Sequence, residues 1–416
     1  MELTTNERSV LDGSRGAYLA RCMRWLVEWG EVMGARRLVP VDNTHALLPV
    51  PNVMARGASQ QTIDRYMDML WEACAHATHP GCLCTVHALF LTLDRLEVPE
   101  NDPVQVGMQR DLAARAAKAG FLPTFTCTPY LVGNVPVKGE VCAWTESSAV
   151  VYANSILGAR TTRHGMESAI AASLLGVVPE FGVLLDENRR GTVRIDVTVS
   201  LRNPTDWGAL GYYGGRLAGL GIPVFHGARR PTQAEAKQLC AALATSGGVT
   251  MCHIAGVTPE APTLEAAFQG PPPPAGGIFD EASLRETYAL LRRCSADEID
   301  SVILGCPHAS IHEIAEIAAR LEGQHVAEGV RLWVNTARGT KRDAESMGYL
   351  ATIEAAGGYV LADTCPTNMR IPARRIVTPG FKQGHYARGM TEAEVIVAPI
   401  PACLRAAMTG RWMGDA

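Results

Sequence analysis

Three of the twelve cysteines in this 416-residue chain stand apart by their surroundings. Cys127 is followed by Thr128 and Pro129, Cys306 by Pro307 and His308, and Cys365 by Pro366. Each comes just after a short apolar run, so each thiol is expected in a loop at the carboxyl end of a strand. A proline in such a loop removes a backbone donor and fixes φ, which stiffens the loop. Three thiolates presented in this way could hold an iron–sulfur cluster and leave one iron open to a substrate. Spacing alone leaves a cluster, a single iron and three ordinary buried thiols as open readings, because no close Cys-x-x-Cys pair is present. Most of the other cysteines, Cys22, Cys74 and Cys294 among them, fall in helix-like stretches and read as small buried hydrophobes.

A second concentration of chemistry runs from Trp144 to Gly165. Glu146, Ser147 and Ser148 open a helical pattern, where backbone N–H groups can receive an anion. Asn154, Ser155, Arg160 and Thr161 come at its far end. Capping accounts for a serine or two, but not for Glu146 and Arg160 flanking an otherwise small, apolar helix. Glu146 is a candidate acid or base, because a carboxylate near a metal and other charges has a perturbed pKa. His308 reads either as a proton shuttle or sulfur partner, or as a ring that satisfies a loop carbonyl.

The elements that must position these residues alternate along the chain. Helical patterns over 16–29, 60–77 and 106–119 are each followed by an apolar run, at 37–41, 82–86 and 121–125, which is the grammar of a parallel sheet. Gly120 sits where a left-handed helix cap belongs. Residues 192–200 alternate cleanly, with Val193, Ile195, Val197 and Val199 on one face, so a strand with one wet side and a more antiparallel region are expected there. The four prolines from Pro271 to Pro274 read as a surface linker and a domain boundary. Beyond it, 300–304 is a strand with Cys306 in the following turn, and Ser310 with Glu313 forms a capping box opening a helix whose apolar face includes Ile314, Ile317, Ala318 and Leu321. A strand at 330–334, a helix through Met347, Leu350 and Ile353, and a strand at 359–362 complete a βαβαβ unit. Right-handed crossovers then bring Cys306 and Cys365 to one sheet edge. The fold class is therefore α/β, a multi-domain α/β/α arrangement of parallel sheets with a more antiparallel middle. The expected domains are 1–130 with Cys127, 131–276 with the polar helix, and 277–416 with Cys306 and Cys365.

Composition narrows the partners. The chain is 47% hydrophobic and 19% charged with a net charge of −4, and it has no basic block to track a phosphate backbone. We expect no nucleic-acid partner. No run of eighteen apolar residues occurs and the N-terminus is polar, so we expect no membrane span, no export signal and a cytoplasmic protein.

Several long motifs carry a specific resemblance. The runs Cys127-Thr128-Pro129-Tyr130, Glu146-Ser147-Ser148, Asn154-Ser155-Ile156-Leu157-Gly158-Ala159-Arg160-Thr161, Asp186-Glu187-Asn188-Arg189, Gly305-Cys306-Pro307-His308-Ala309-Ser310 and Asp363-Thr364-Cys365 resemble the catalytic subunit of the aconitase X family. Their order spans nearly the whole chain. The resemblance implies an aconitase-like fold and a hydro-lyase acting on a small hydroxy acid. It also implies that Cys127, Cys306 and Cys365 ligate an iron–sulfur cluster, and that Glu146, Ser147 and Lys382, within Gly380-Phe381-Lys382-Gln383-Gly384, contact substrate. Lys382 would clamp a carboxylate, and Arg160 reads either as a second clamp through its planar fork or as a cap on helix carbonyls. The base implied is a serine on a small swivelling domain, fused in single-chain relatives and a separate subunit in others. No such domain remains here, so a separate small partner and a heterodimer are expected.

Substrate is where this sequence departs from its relatives. The phosphomevalonate branch carries a Gly-Val-Ser run and an Asn-Pro pair where this chain has Leu48-Pro49-Val50 and His87-Ala88. An apolar, proline-stiffened loop offers fewer donors to a phosphate, and His45 and His87 would line the altered pocket. The leading expectation is dehydration of cis-3-hydroxy-L-proline to a pyrroline carboxylate. The alternatives are a phosphomevalonate dehydratase large subunit, a dehydratase of another biosynthetic hydroxy acid, and a non-enzymatic iron–sulfur sensor.

Overall fold

The computed structural model describes residues 1–48, 72, 81–89, 91–93, 103–294, 297–367, 373–390 and 393–414. The helix expected over 60–77, Cys74 and the Pro49-Val50 pair lie outside them. Three sheet-centred units follow one another along the chain.

The first unit holds α1 (Thr5–Leu11), α2 (Ala17–Val32), β1 (Leu38–Pro40), β2 (Asn43–Ala46), β3 (Leu83–Val86), α3 (Pro103–Lys118), β4 (Cys142–Trp144), α4 (Ser147–Tyr152), α5 (Met166–Leu175) and β5 (Val177–Pro179). Strands β3, β2 and β4 form a parallel sheet, and β1 pairs antiparallel with β5. Leu26, Val86, Leu112, Phe121, Phe125 and Ala169 are buried in one cluster beneath the sheet. Each large side chain so buried contributes roughly 1.5–3 kcal/mol. Because β4 belongs to this sheet, the first unit extends well past residue 130, where the sequence suggested a boundary.

The expected strand at 121–125 does not form. Leu122 makes only an isolated bridge to Thr85, and the chain turns left-handed at Phe125, with φ of 40°. The Thr124 hydroxyl takes the place of a ladder, donating to Val86 O at 3.0 Å and accepting from Val86 N at 3.1 Å. A side chain that satisfies a strand's backbone locally ends the ladder there.

The second unit is β6 (Val193–Val197), α6 (Pro204–Ala218), β7 (Pro223–His226), α7 (Gln233–Ser246), β8 (His253–Ile254), α8 (Leu264–Phe268), β9 (Ala275–Phe279) and α9 (Glu281–Leu290). Its sheet order is β8-β7-β6-β9, and every pairing in it is parallel. The alternating strand over 192–200 is present as β6, but its neighbours run parallel to it. One face is half-exposed, and alternation reports that wetness rather than strand direction. Antiparallel pairing occurs instead between β1 and β5 and, farther along the chain, between Arg292–Arg293 and Glu394–Val397. The proline run leads directly into β9, which pairs with β6, so the chain leaves this sheet only after α9.

The third unit contains β10 (Arg292–Arg293), β11 (Ser301–Ala309), α10 (Ile311–Leu321), β12 (Arg331–Thr336), α11 (Arg338–Ser346), α12 (Tyr349–Ala355), β13 (Gly358–Ala362), β14 (Arg375–Thr378), α13 (Phe381–Met390), β15 (Glu394–Val397) and α14 (Ile400–Thr409). Strands β14, β11, β12 and β13 pair parallel in that order, as the βαβαβ reading requires. The capping box at Ser310 and Glu313 opens α10, which buries Ile314, Ile317, Ala318 and Leu321. The single helix expected through Met347 is two, broken at left-handed Gly348. Among the described residues no helix is long and apolar enough to cross a membrane.

Candidate active site

Parallel strands deliver their following loops to one edge, and here the edges of two sheets meet. From the first unit come His87 after β3 and Glu146 after β4; from the third come Cys306 on β11, Cys365 after β13 and Lys382 after β14. Main-chain bonds stitch the edges together, Leu89 N donating to Asp363 O at 2.6 Å and Cys365 N to Leu89 O at 2.7 Å.

A left-handed residue precedes each of the three cysteines. Phe125 (φ 40°) lies two before Cys127, Gly305 (φ 85°) one before Cys306, and Asp363 (φ 68°) two before Cys365. At Gly305 a side chain is excluded, since a Cβ would stand 2.0 Å from Asn335 O. Phe125 and Asp363 hold this conformation at a cost of about 1–3 kcal/mol each, sustained only by surroundings that fix it. Arg338 supplies part of that fixation for both. Its guanidinium grips Asp363, with Nη2 to Oδ2 at 2.7 Å, and lies over the Phe125 ring at 5.2 Å.

The three sulfurs are buried and feel one another. Burial first, then Glu146 and Cys365, push the Cys127 thiol well above its usual value, with Lys382 opposing. Burial likewise pushes Cys306 up to about 12, with Lys382 pulling down and Cys365 pushing up. His308 N donates to Cys127 Sγ at 3.3 Å, and Thr367 Oγ1 lies 3.3 Å from Cys306 Sγ. Three buried thiols, two of which, Cys127 and Cys306, resist ionisation on their own and have a donor or hydroxyl beside them, suit a metal group whose positive charge would turn them into thiolates. Among the described residues no three His, Cys, Asp or Glu side chains close on a point fit for one ion.

Beside the sulfurs lies a buried charge cluster. Glu146 caps α4: its Oε1 accepts from Ser148 N at 3.0 Å and from the Ser148 hydroxyl at 2.7 Å, with the Ser147 hydroxyl at 3.4 Å. The helix start expected to receive an anion is thus already occupied by Glu146 itself. Lys382 Nζ donates to the same oxygen, and His87 Nε2 lies 2.7 Å from Oε2. His87 Nδ1 lies 2.8 Å from Ala88 O, which can only accept, so Nδ1 is the donor there. Burial would raise the Glu146 carboxyl, but Lys382 and His87 outweigh it and hold it well below its usual range. Burial would lower Lys382, but Glu146 and the nearby thiols of Cys306 and Cys127 keep it firmly protonated.

The remaining candidates divide. His45 is fully buried behind His87, ring centroids 5.9 Å apart, with Nδ1 on Thr85 Oγ1 at 2.9 Å and burial pushing it down to about 3. His308 sits among the cysteines with both nitrogens engaged, Nε2 donating to Thr364 O at 2.8 Å and Nδ1 3.1 Å from Thr126 Oγ1. Burial lowers its pKa to about 4, so it stays neutral and holds the loops together. Arg160, Asn154 and Thr161 are not brought to the Glu146–Lys382 pair. Arg160 donates to Leu184 O at 2.6 Å and to Asp186, while Asn154 binds both N and O of Thr161 across the end of a π-helical turn, Ala153–Leu157. Sequence reasoning missed Thr367 and Gln383, whose side chains join the Cys365 loop to α13, the Thr367 hydroxyl donating to Gln383 Oε1 at 3.3 Å. Their neighbours Cys365 and Lys382 were the only signal for them.

Two sheet edges, from the first and third units, closing on buried sulfurs and a Lys–Glu pair suit an aconitase-like hydro-lyase, and the comparisons agree. Models of the aconitase X first, second and third domains match residues 1–187, 191–289 and 299–409, close to the three sheet units. The chain belongs to the aconitase X family and is a hydro-lyase of that family. It is 35% identical over 99% of its length to the phosphomevalonate dehydratase large subunit of Methanothermobacter thermautotrophicus, covering 97% of that protein. It is 33% identical over 97% of its length to the cis-3-hydroxy-L-proline dehydratase of Pseudomonas aeruginosa, but covers only 70% of it. The crystal structure of Thermococcus kodakaraensis aconitase X in its holo-form superposes with a TM-score of 0.85 at 29% identity, over 98% of this chain and all of the other.

Proposed function

We propose that this chain is the large subunit of an iron–sulfur dehydratase that removes water from cis-3-hydroxy-L-proline. The observation that carries the proposal is the buried Glu146–Lys382 pair, flanked by His87, beside Cys127, Cys306 and Cys365. A secondary ammonium and a carboxylate on adjacent atoms of a small ring complement a carboxylate and an ammonium held side by side. A phosphorylated acid would ask for several further cations or N–H donors.

Cys127, Cys306 and Cys365 would hold the cluster, which when bound supplies a Lewis acid for a departing hydroxyl group. The chain's own groups do the rest. Lys382 receives the substrate carboxylate and stabilises the charge that develops on it as the α-proton leaves. Glu146, anionic and held from three sides, orients the ammonium. Loss of the α-proton and of the 3-hydroxyl, which departs as water, forms a carbon–carbon double bond, and the resulting enamine tautomerises to the pyrroline carboxylate. Lys382 and His87 hold the Glu146 carboxyl well below its usual range, which favours a role for it in orienting the substrate over taking that proton. The base would come from a small partner subunit. The relative from M. thermautotrophicus, named a large subunit, supports a partner.

Coverage of 97% of that relative, with 35% identity, favours a second reading, phosphomevalonate dehydration. Turnover assays on cluster-loaded protein with its small partner, using cis-3-hydroxy-L-proline and (R)-5-phosphomevalonate in parallel, separate the two. Pyrroline product is expected from the first; dehydration of the second substrate alone would replace this proposal.

A further inference from the structure

The second unit contributes none of the three cysteines, yet one of its helices grips the irregular, looped end of β11 that presents Cys306. Two adjacent residues of α7 take the carbonyl oxygens of three consecutive loop residues. Gln238 Nε2 donates to Cys306 O at 3.4 Å; Lys237 Nζ donates to Pro307 O at 3.4 Å and to His308 O at 2.8 Å. The third ammonium proton of Lys237 goes to Glu313 Oε2 at 2.5 Å. All three donors of an ammonium are thereby used, two of them on the cysteine loop. Glu313 is itself tied to the end of that loop, since the same oxygen accepts from Ser310 N and the Ser310 hydroxyl at 2.8 Å each. From the other side the chain closes tightly: a Cβ on Gly380 would stand 2.4 Å from Cys306 O, so the Lys382 loop packs backbone to backbone on the cysteine loop.

Lysine is almost never wholly buried unless paired, and the Lys237 side chain is 1% exposed. A pairing with Glu313 alone would account for the charge. It does not account for the two loop carbonyls, which an α7 side chain reaches only by crossing from one unit to another. Groups that orient metal ligands from behind commonly matter about as much as the ligands themselves. We infer that Lys237 is a positioning residue for the metal site: by holding the Pro307 and His308 carbonyls it fixes the Cys306 loop in its ligating geometry and ties the second unit to the cluster. The inference rests on the iron–sulfur reading above.

The test uses the full chain, purified anaerobically and reconstituted with iron and sulfide. Three proteins are compared, the parent, Lys237→Met and the double variant Lys237→Met with Glu313→Gln, which removes the cation without stranding a buried carboxylate. Readouts are iron and sulfide per chain, the visible spectrum, the rate at which that spectrum bleaches under a chelator, and the thermal unfolding of the same preparations. The double variant should unfold near the parental temperature yet bleach on the order of 10- to 100-fold faster, because the loop has lost its carbonyl anchor while the charge balance is restored. Lys237→Met should bleach as fast and also be less stable. A double variant with parental spectrum and parental bleaching overturns the inference, for then only the charge pair matters. A parent that takes up no iron and sulfide overturns the cluster reading and this inference with it, and the two failures are told apart by the parent alone.

Discussion

Replacing Lys382 by methionine isolates the physics of the site. The substitution keeps the stem and removes the ammonium that, after burial, is the largest influence on Glu146. In the parent, Glu146 titrates far below its ordinary value of 4.5, so it contributes stability above that value that is lost as pH falls through the depressed one. In the variant, burial dominates and drives the carboxyl up. The sign reverses: the ionised carboxylate now costs stability above its raised pKa, and acid relieves that cost. Breaking one side of a buried pair typically costs about 3 kcal/mol or more. At roughly 2–4 °C per kcal/mol for a unit of 150–250 residues, the unfolding temperature should drop by about 6–12 °C at pH 8. The deficit should shrink towards pH 5, as the carboxyl takes up a proton. Calorimetry or circular dichroism of metal-free protein at pH 5, 6, 7 and 8 reads this directly. A deficit that is absent, or that stays constant or grows as pH falls, would refute the reasoning.

Other substitutions follow from the same geometry. His87→Asn should weaken turnover of cis-3-hydroxy-L-proline by tenfold or more, since a good charged hydrogen bond is worth about 1.5–3 kcal/mol, and parallel kcat/KM values for both candidate substrates will show it. Arg160→Ala should leave kcat within about twofold and cost no more than about 1 kcal/mol of stability in a urea titration, because its partner Asp186 lies 83% exposed. Arg338→Ala should speed bleaching of the cluster spectrum, as the left-handed turns ahead of Cys127 and Cys365 lose their shared support. Full turnover by the purified chain without any small partner would contradict the two-subunit reading.

Much of this was written in local pattern, and what was not depends on distance. The capping box at Ser310 and Glu313, the βαβαβ order of β11 to β13, and the meeting of Cys306 and Cys365 at one edge all follow from short-range spacing plus the handedness of crossovers. Residues 121–125 misled because Thr124 satisfies the β3 backbone with a side chain, which apolar periodicity cannot register. Arg160 has two readings in the sequence. A cation after a polar helix end reads the same whether it faces a ligand or the carbonyl of Leu184. His308 had two readings in the sequence, and the carbonyl of Thr364 with the hydroxyl of Thr126 accounts for both ring nitrogens. The grip of Lys237 on the Cys306 loop was invisible, since about seventy residues separate the partners and no periodicity records a side chain's reach. The alternation of β6 described a half-wet face correctly and said nothing about the direction of its neighbours.

The claim beneath all of these is that three thiols from separate loops hold one metal group at the meeting of two sheets. Iron and acid-labile sulfide should be measured on anaerobically purified protein, together with its visible spectrum, for the parent and for Cys127→Ser, Cys306→Ser and Cys365→Ser. The parent should carry several irons and sulfides per chain with a broad visible absorption, and each substitution should lose most of it. A parent holding no iron and sulfide, or three variants that keep the parental spectrum, would contradict the account.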